Sequence, residues 1–235
     1  MNEKTATRRE ALALLGATGV AFTMGCGGDT ATSPDSGATS STPSGGGASA
    51  ACATSPSETA GPYPSLTDIV RSDIRGGRTG VALTLTLTVV NASSGCGVVS
   101  GALVEVWQCD AQGRYSEYSQ PGYDGRTETF LRGIQTTDAG GRVVFMTIYP
   151  GWYAGRATHI HAEVTVNGRS VKVTQIAFPE SVNATVYASS QYAARGGNPT
   201  SNSGDMVFAD SLGSELATIS GDPASGYAAS FTIGI

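Results

Sequence analysis

VALTLTLTVV, residues 81–90, alternates apolar and polar side chains strictly from Leu83 to Val89. The apolar members are Leu83, Leu85, Leu87 and Val89, and threonines occupy the positions between them. Because successive side chains of a strand point to opposite faces, this alternation predicts a strand with one face in the core and one towards solvent.

Five further runs along the chain also have strand character, and turn signals separate them. They are Ala102–Gln108, Arg142–Ile148, His159–Val166, Val171–Phe178 and Gly226–Ile235. The Asn-Gly pair at 167–168 is a strong hairpin signal. One short helix is predicted over Ser181–Ala194. Short strands, Gly-rich turns and little helix predict a mainly β fold, an antiparallel β-sandwich with long loops.

The first quarter of the chain has a different character. Residues 1–26 open with a basic segment and continue with an apolar run that is too short to cross a bilayer comfortably, so we predict an export signal. Arg8 and Arg9 resemble a twin-arginine signal. Thr23–Cys26 resembles a lipobox in which Cys26 would carry a lipid, the one predicted attachment to a membrane. Ordinary signal cleavage near the same place is the alternative.

Residues 27–54 consist mainly of Gly, Ser, Thr and Ala, with almost no large apolar side chain. Such a stretch buries too little surface to offset its ordering entropy, so a flexible tether is predicted. Residues 55–235 are the right size for one domain with its own core. The mature protein is therefore expected outside the cytoplasm, in the periplasm or at the cell surface.

The net charge is −5, and no basic cluster follows the signal, which argues against nucleic acid as a partner. If Cys26 carries a lipid, three cysteines remain, which predicts one disulfide and one thiol in an oxidising compartment. Cys96 and Cys109 lie on either side of one predicted strand, and an extended chain would hold them apart. Cys52 is therefore expected to pair with one of these two, and the sequence leaves open which.

The chain has just two histidines, His159 and His161. On a strand, residues two apart share a face, so both imidazoles point to one side while Ile160 points into the core. Two ligands of one metal need this placement. The alternative is two polar side chains on a half-exposed strand. Tyr153 and Arg156, a few residues upstream, favour the metal site.

Leu131–Val164 resembles the core of the intradiol ring-cleavage dioxygenases. The same order of motifs continues in GALVEVWQCDAQGRY at 101–115, TAGPY at 59–63 and TQIAF at 174–178. The resemblance covers most of residues 58–190. It implies a non-haem Fe(III) enzyme that uses O2 to open a catechol-type aromatic diol between its two hydroxylated carbons, giving a muconate-type diacid.

The resemblance also implies roles for particular residues. The metal ligands would be Tyr115, Tyr153, His159 and His161; the substrate pocket would include Pro62, Tyr63 and Gln175. Tyr118 and Tyr123 are rivals to Tyr115. Tyr153 would leave the metal when substrate binds and accept a proton, and Arg156 would stabilise negative charge on the activated diol. Two phenolate oxygens favour a trivalent iron, although each tyrosine alone could simply pack at a strand end.

The chain departs from the family pattern in one loop. Arg156-Ala157-Thr158-His159 replaces the usual Arg-Pro-Ala-His, and the stretch from Tyr153 to Arg156 is short, which implies a more open pocket. No cationic pocket residue besides Arg156 is identifiable in the sequence, so a neutral catechol or hydroxyquinol is favoured. The oligomeric state does not follow from the resemblance.

Two other functions compete with the dioxygenase reading. Strand patterns such as GALVEVW at 101–107 also occur in transthyretin-like and carboxypeptidase-regulatory-like sandwiches, which are non-catalytic binding modules. Such a module has no need of a histidine pair beside Tyr115, Tyr153 and Arg156. A hydrolytic metal site is the second competitor, but zinc prefers Cys, His and carboxylate ligands over tyrosines.

Overall fold

The computed structural model describes residues 52–235. In chain order the strands are β1 (Ala82–Asn91), β2 (Gly97–Val98), β3 (Leu103–Trp107), β4 (Ser119–Gln120), β5 (Tyr123–Asp124), β6 (Arg132–Thr136), β7 (Arg142–Ile148), β8 (His159–Val166), β9 (Arg169–Ala177), β10 (Thr218–Asp222) and β11 (Gly226–Gly234). One α-helix, α1 (Glu180–Tyr187), and single 3-10 turns at Ala193–Arg195, Asn202–Gly204 and Leu212–Ser214 complete the described part.

The strands form two main sheets and one short hairpin. One sheet has the order β10-β11-β1, with β2 and β7 both pairing with β1. The other has the order β6-β3-β8-β9 and is antiparallel throughout. The hairpin consists of β4 and β5. The predicted mainly β, antiparallel architecture is confirmed, with β1 and β11 as a parallel pair inside it.

The core lies between the two main sheets. Leu83, Leu85 and Leu87 of β1 are almost completely buried, while the threonines between them are exposed or half-buried, as the alternation predicts. They belong to one apolar cluster with Ile160 and Val164 of β8. The inner face of β8 is therefore used for packing, and its outer face is left for the two histidines.

Some boundaries differ from the predictions. The helix ends at Tyr187 instead of continuing to Ala194, and the Ser189 hydroxyl donates to the carbonyl of Val186 at 2.6 Å just past that end. A serine that bonds the backbone in this way competes with continuation of the helix. The short strands β2, β4, β5, β6 and β10 were not predicted.

Cys52 is bonded to Cys96, with a Cα–Cα distance of 5.6 Å, and Cys109 is a buried free thiol. This settles the pairing that the sequence left open. Cys52 precedes the predicted domain start at residue 55, so the fold extends into the last residues of the predicted tether. The export signal over residues 1–26, with Cys26, and residues 27–51 of the tether lie outside the described residues. Within residues 52–235, no helix is both long and apolar enough to span a bilayer.

Candidate metal and substrate site

The two histidines lie at the start of β8, on the outer face of the four-stranded sheet. Both are buried, with 3% and 1% of their surface exposed for His159 and His161. His161 pairs across the sheet with Trp107 of β3, and their rings stack at 4.9 Å with an interplanar angle of 2°. Gly61 closes the site from the N-terminal loop: its φ is +69°, and a Cβ there would lie 3.1 Å from Cε1 of His161.

The two imidazoles present their Nε2 atoms to each other at 3.1 Å. Nδ1 of His159 donates to the carbonyl oxygen of Ala157 at 2.6 Å, which leaves the lone pair on Nε2. Two nitrogens about 2.1 Å from one metal ion lie about 3.0–3.4 Å apart at octahedral or tetrahedral angles. The separation therefore fits two ligands of one ion.

Two tyrosines complete this group. The Tyr153 hydroxyl lies 3.4 Å from Nε2 of His159. Tyr115 is completely buried, its ring centroid is 5.7 Å from that of Tyr153, and its hydroxyl has no hydrogen-bond partner. A buried hydroxyl without a partner is costly, and a metal ion would satisfy it. The four side chains thus fit an ion with two phenolate and two imidazole ligands.

The rival tyrosines are engaged elsewhere. The Tyr118 hydroxyl donates to the carbonyl of Pro64 at 2.7 Å. The Tyr123 hydroxyl bonds to Glu128 and accepts from Arg78 at 2.6 Å. Tyr115 is therefore the tyrosine that this fold brings to Tyr153 and the histidines.

Burial governs the protonation of the four side chains when no cation is present. It raises the pKa of Tyr153 to about 12 and the pKa of Tyr115 well above its usual value. Burial also lowers the pKa of His159 to about 3, helped by Arg156, and lowers that of His161 well below its usual value. Both imidazoles are thus neutral at physiological pH, the form that binds metals. A trivalent cation reverses the trend for the phenols, because its charge favours the phenolate.

The zinc-type alternative lacks its ligands in this fold. Among residues 52–235, no three His, Cys, Asp or Glu side chains converge as a metal site would require. Oxygen donors beside the histidines come from tyrosines instead. Phenolate oxygen is a hard anionic ligand that suits Fe(III), whereas zinc prefers Cys, His and carboxylates.

Arg156 and Gln175 are held together beside the histidine pair. Gln175 lies opposite His161 across β8 and β9, accepts from Nη2 of Arg156 at 2.5 Å, and donates to the carbonyl of Thr59 at 2.8 Å. The sequence placed both residues at the site, and the structure brings them into direct contact. Pro62, by contrast, is exposed, whereas its neighbour Tyr63 stacks on Tyr115 at 4.7 Å.

Asp205 is a site residue that the sequence reasoning missed. Its carboxylate is completely buried and accepts from Nε of Arg156 at 2.9 and 3.2 Å. One of its oxygens also accepts from the backbone N–H of Ala157 at 2.5 Å. The carbonyl of the same residue, Ala157, accepts from Nδ1 of His159. Asp205 therefore holds the arginine and fixes the backbone of the residue that orients a histidine. No local motif marks Asp205, which follows a Gly- and Ser-rich stretch.

An open cavity of about 700 Å³ lies beside these residues. Tyr63 and Tyr153 form the part of its wall nearest the histidines, and Arg114 and Arg195 contribute positive charge. Neither arginine was assigned a role from the sequence.

Comparisons with known proteins agree with the site. A family model described as Dioxygenase matches residues 54–191. The structure is similar to an intradiol ring-cleavage dioxygenase from Tetranychus urticae, with 32% identity, a TM-score of 0.70, and coverage of 78% of this chain and 94% of that one. The chain belongs to the intradiol ring-cleavage dioxygenase family.

Two further solved structures share the fold. The dioxygenase domain of a carbohydrate-binding fusion protein from Streptomyces sp. SirexAA-E is 29% identical, with a TM-score of 0.58 over 78% of this chain and 98% of that one. Catechol 1,2-dioxygenase from Pseudomonas arvilla C-1 is 21% identical, with a TM-score of 0.54 over 76% of this chain and 61% of that one. A search of curated proteins found no significant match. By family the protein is an oxidoreductase, and the family uses non-haem iron and acts on catechol-type substrates with O2.

Proposed function

We propose that this protein is an exported Fe(III) dioxygenase that cleaves a catechol-type diol between its two hydroxylated carbons. The observation that supports this most strongly is the convergence of four side chains at the start of β8. The two Nε2 atoms lie 3.1 Å apart, the Tyr153 hydroxyl faces one of them, and Tyr115 brings a buried hydroxyl without a partner. The ligand types, two phenols and two neutral imidazoles, are those that hold a ferric ion.

Bound ferric iron would act as a Lewis acid that draws both diol oxygens to the site as their protons leave. Tyr153 is the ligand that borders the open cavity, whereas Tyr115 is fully enclosed. Tyr153 can therefore yield its position to an entering diol and take up one of the diol protons. The hydrogen bond from His159 to the carbonyl of Ala157 would keep this imidazole oriented towards the metal while the diol enters.

Arg156 would stabilise the negative charge that builds up on the activated ring. Its side chain is 14% exposed, and its bonds to Asp205 and Gln175 fix the orientation of the guanidinium. These contacts use Nε and Nη2, and a guanidinium carries five N–H donors in total. The remaining donors can bond to a substrate oxygen without a rearrangement at the moment of reaction.

The overall reaction needs no reagent beyond the diol and O2. The bond between the two oxygen-bearing carbons breaks, and each of these carbons gains one oxygen atom from O2. The diol is thereby oxidised by four electrons to a diacid, and O2 is reduced by the same number. The role of the protein is to hold the diol and O2 in a reactive orientation and to exclude other reactants from the site.

Export is the second part of the proposal. It rests on residues 1–26, with their Arg8-Arg9 pair, and on the Cys52–Cys96 disulfide, a bond typical of oxidising compartments. A twin-arginine pathway carries folded proteins, so the metal could be acquired before export. A fusion of residues 1–54 to a reporter, with and without substitution of both arginines by lysines, tests this route. Export of both forms would contradict it.

The reaction is tested by the visible spectrum of the purified protein, recorded under nitrogen before and after addition of catechol. A broad tyrosinate-to-iron band that moves to longer wavelength with catechol is expected. Admission of O2 should then consume catechol and O2 in equal amounts. A protein that stays colourless after loading with ferric iron would favour the binding-module alternative instead.

A further inference from the structure

The cavity beside Tyr153 has an unusual charge for this protein. The chain carries a net charge of −5, yet the residues that line the cavity include two arginines, Arg114 and Arg195, and no carboxylate. Both side chains are exposed at the mouth of the cavity. Charges of one sign along a cleft raise the local concentration of counter-ions. The cavity is therefore a local attractor for anions in an otherwise acidic protein.

Arg195 is held over the cavity by neighbouring aromatic and backbone groups. Its guanidinium lies 4.2 Å from the ring centroid of Trp152, and its Nη1 donates to the carbonyl of Gln112. Gly113 allows this close approach: its φ is +78°, and a Cβ there would lie 2.1 Å from the carbonyl oxygen of Trp152 and 2.9 Å from Nη2 of Arg195. Trp152 is in turn fixed by its indole N–H, which donates to the carbonyl of Gly196 at 3.1 Å.

Arg114 is placed in a similar way from the other side. Its guanidinium lies 4.8 Å from the ring centroid of Tyr123. Its backbone is fixed by Asp110, whose carboxylate accepts from the Arg114 N–H at 2.9 Å. Cation–π contacts orient a guanidinium without neutralising it.

Neither Arg114 nor Arg195 forms an ion pair with any residue in the described range 52–235. The other arginines near the site behave differently, because Arg156 is paired with Asp205 and Arg132 with Glu117. Two oriented guanidiniums without an anionic partner favour the binding of a ligand that carries an anionic group. A carboxylate is the ligand group whose two oxygens suit the planar donor fork of a guanidinium.

We propose that Arg114 and Arg195 form an anion subsite that binds a carboxylate carried on the ring of the diol. The assignment rests on the proposed function, since the diol end of the same molecule would occupy the Tyr153 side of the cavity. A cavity of about 700 Å³ has room for a substituted ring, as pockets of about 300–1,000 Å³ hold drug-sized ligands. The preference for a neutral diol rested on the lack of a second cation, and these two arginines remove that reason.

The subsite also joins two parts of the chain. Arg114 lies within the region matched by the family model, one residue before Tyr115, whereas Arg195 lies beyond residue 191, where that match ends. Recognition of the anion therefore depends on a segment that the shared motifs do not include. We expect the preference to be a property of this chain and not of every protein with the same ligands.

The test compares 3,4-dihydroxybenzoate with its neutral counterpart 3,4-dihydroxybenzamide. For the iron-loaded protein, kcat/KM is expected to be about tenfold or more higher for the benzoate, and the ratio should fall with added salt. Arg114→Gln and Arg195→Gln should each lower the benzoate value while leaving the benzamide value nearly unchanged. Arg169→Gln, an exposed arginine at the turn between β8 and β9, is the control with the same loss of charge. Equal values for the two diols, or an equal fall for both in the variants, would overturn the subsite.

A second measurement separates this proposal from the proposed reaction. Binding of 4-hydroxybenzoate and 4-hydroxybenzamide to iron-free protein is followed by calorimetry, which needs no turnover. Tighter binding of the benzoate, lost in Arg195→Gln, supports the subsite even if every diol is left intact, a result that would overturn only the dioxygenase function. Equal binding of the two probes, or binding of neither, contradicts the subsite whatever the activity.

Discussion

Two parts of the domain contribute to the candidate site in different ways. Residues 54–191, which match the family model, supply all four candidate metal ligands. Residues 192–235 supply none of these ligands. They do supply Asp205, which accepts from Arg156 and from the N–H of Ala157, and Arg195, which lines the cavity. The comparison indicates that the candidate ligands belong to the shared motifs, whereas the segment that follows them holds Arg156 in place and adds positive charge to the cavity.

The C-terminal segment is also part of the fold and not an appendage to it. Its last strand, β11, pairs in parallel with β1, and β10 pairs with β11. Asp205 is completely buried, and the phenylalanine Phe208 packs in a cluster with Ala157 and Ala177. Asp205, which holds Arg156, is therefore fixed in place by the same packing that completes the sandwich.

The largest expected effect comes from the ligands of the matched region. His161→Ala and Tyr153→Ala should each abolish iron binding or reduce ring cleavage to the background rate, because each removes a metal ligand. Iron content per protein, measured by metal analysis after purification, is the readout besides activity. Glu163→Ala, on the same face of β8, is the control and should keep its iron. Ring cleavage retained in both ligand variants would refute the assigned site.

A second comparison distinguishes two tyrosines of the same loop. Tyr115→Phe should lose one phenolate ligand and with it much of the visible iron band, because its buried hydroxyl has no other partner. Tyr118→Phe should change the spectrum little, since that hydroxyl bonds to the carbonyl of Pro64. The opposite pair of spectra would move the ligand to Tyr118.

A smaller effect is expected from the C-terminal segment. Asp205→Asn keeps the size of the side chain but removes its charge, so Arg156 loses its ionic partner and the N–H of Ala157 loses a strong acceptor. Groups that orient metal ligands typically contribute about 10- to 100-fold to metal affinity or activity. We expect kcat to fall within that range while KM changes less, with the iron band retained but shifted.

Asp210→Asn, an exposed carboxylate in the same segment, is the matched control for Asp205→Asn. Partial recovery in Asp205→Glu would show that the charge matters and not only the packing. If Asp205→Asn had the kinetics and spectrum of the unaltered protein, the positioning role would be wrong, and the comparison between the two parts of the chain would lose its main support.

The smallest effect concerns stability and pH. Burial raises the pKa of Glu215 to about 7, with Glu58, Asp210 and Asp205 adding repulsion, while the hydroxyl of Ser211 donates to it and opposes the shift. Because the folded state holds this proton more tightly than the unfolded state, the contribution of Glu215 to stability is complete below a pH of about 4.5 and is lost as the pH rises through about 7. Glu215→Gln should remove this loss and raise the free energy of unfolding at pH 8 by about 2–3 kcal/mol. Urea denaturation at pH 5 and pH 8 measures it; an equal change at both values would exclude the titration of Glu215 as the cause.

Much of this protein follows from its sequence because the relevant patterns are local. Period-two alternation placed Leu83, Leu85 and Leu87 in the core, and the same period put His159 and His161 on the opposite face of β8 from Ile160. Shared motifs then identified the tyrosines that the fold brings to these histidines. Strands β6 and β10 were missed because their burial does not alternate, as in β10, which is almost wholly exposed.

Only the tertiary structure decided the remaining features, since they join residues that are far apart in the chain. Cys52 bonds to Cys96 rather than Cys109, and Asp205 reaches Arg156 across 49 positions. Arg114 and Arg195 meet at one cavity although no motif connects them. Alternation along a strand indicates which face of the sheet each side chain occupies. The contacts named above depend instead on how distant loops pack over the sheet. The sequence therefore determined the donor types of the site, and tertiary packing decided their positioning and the charge of the pocket.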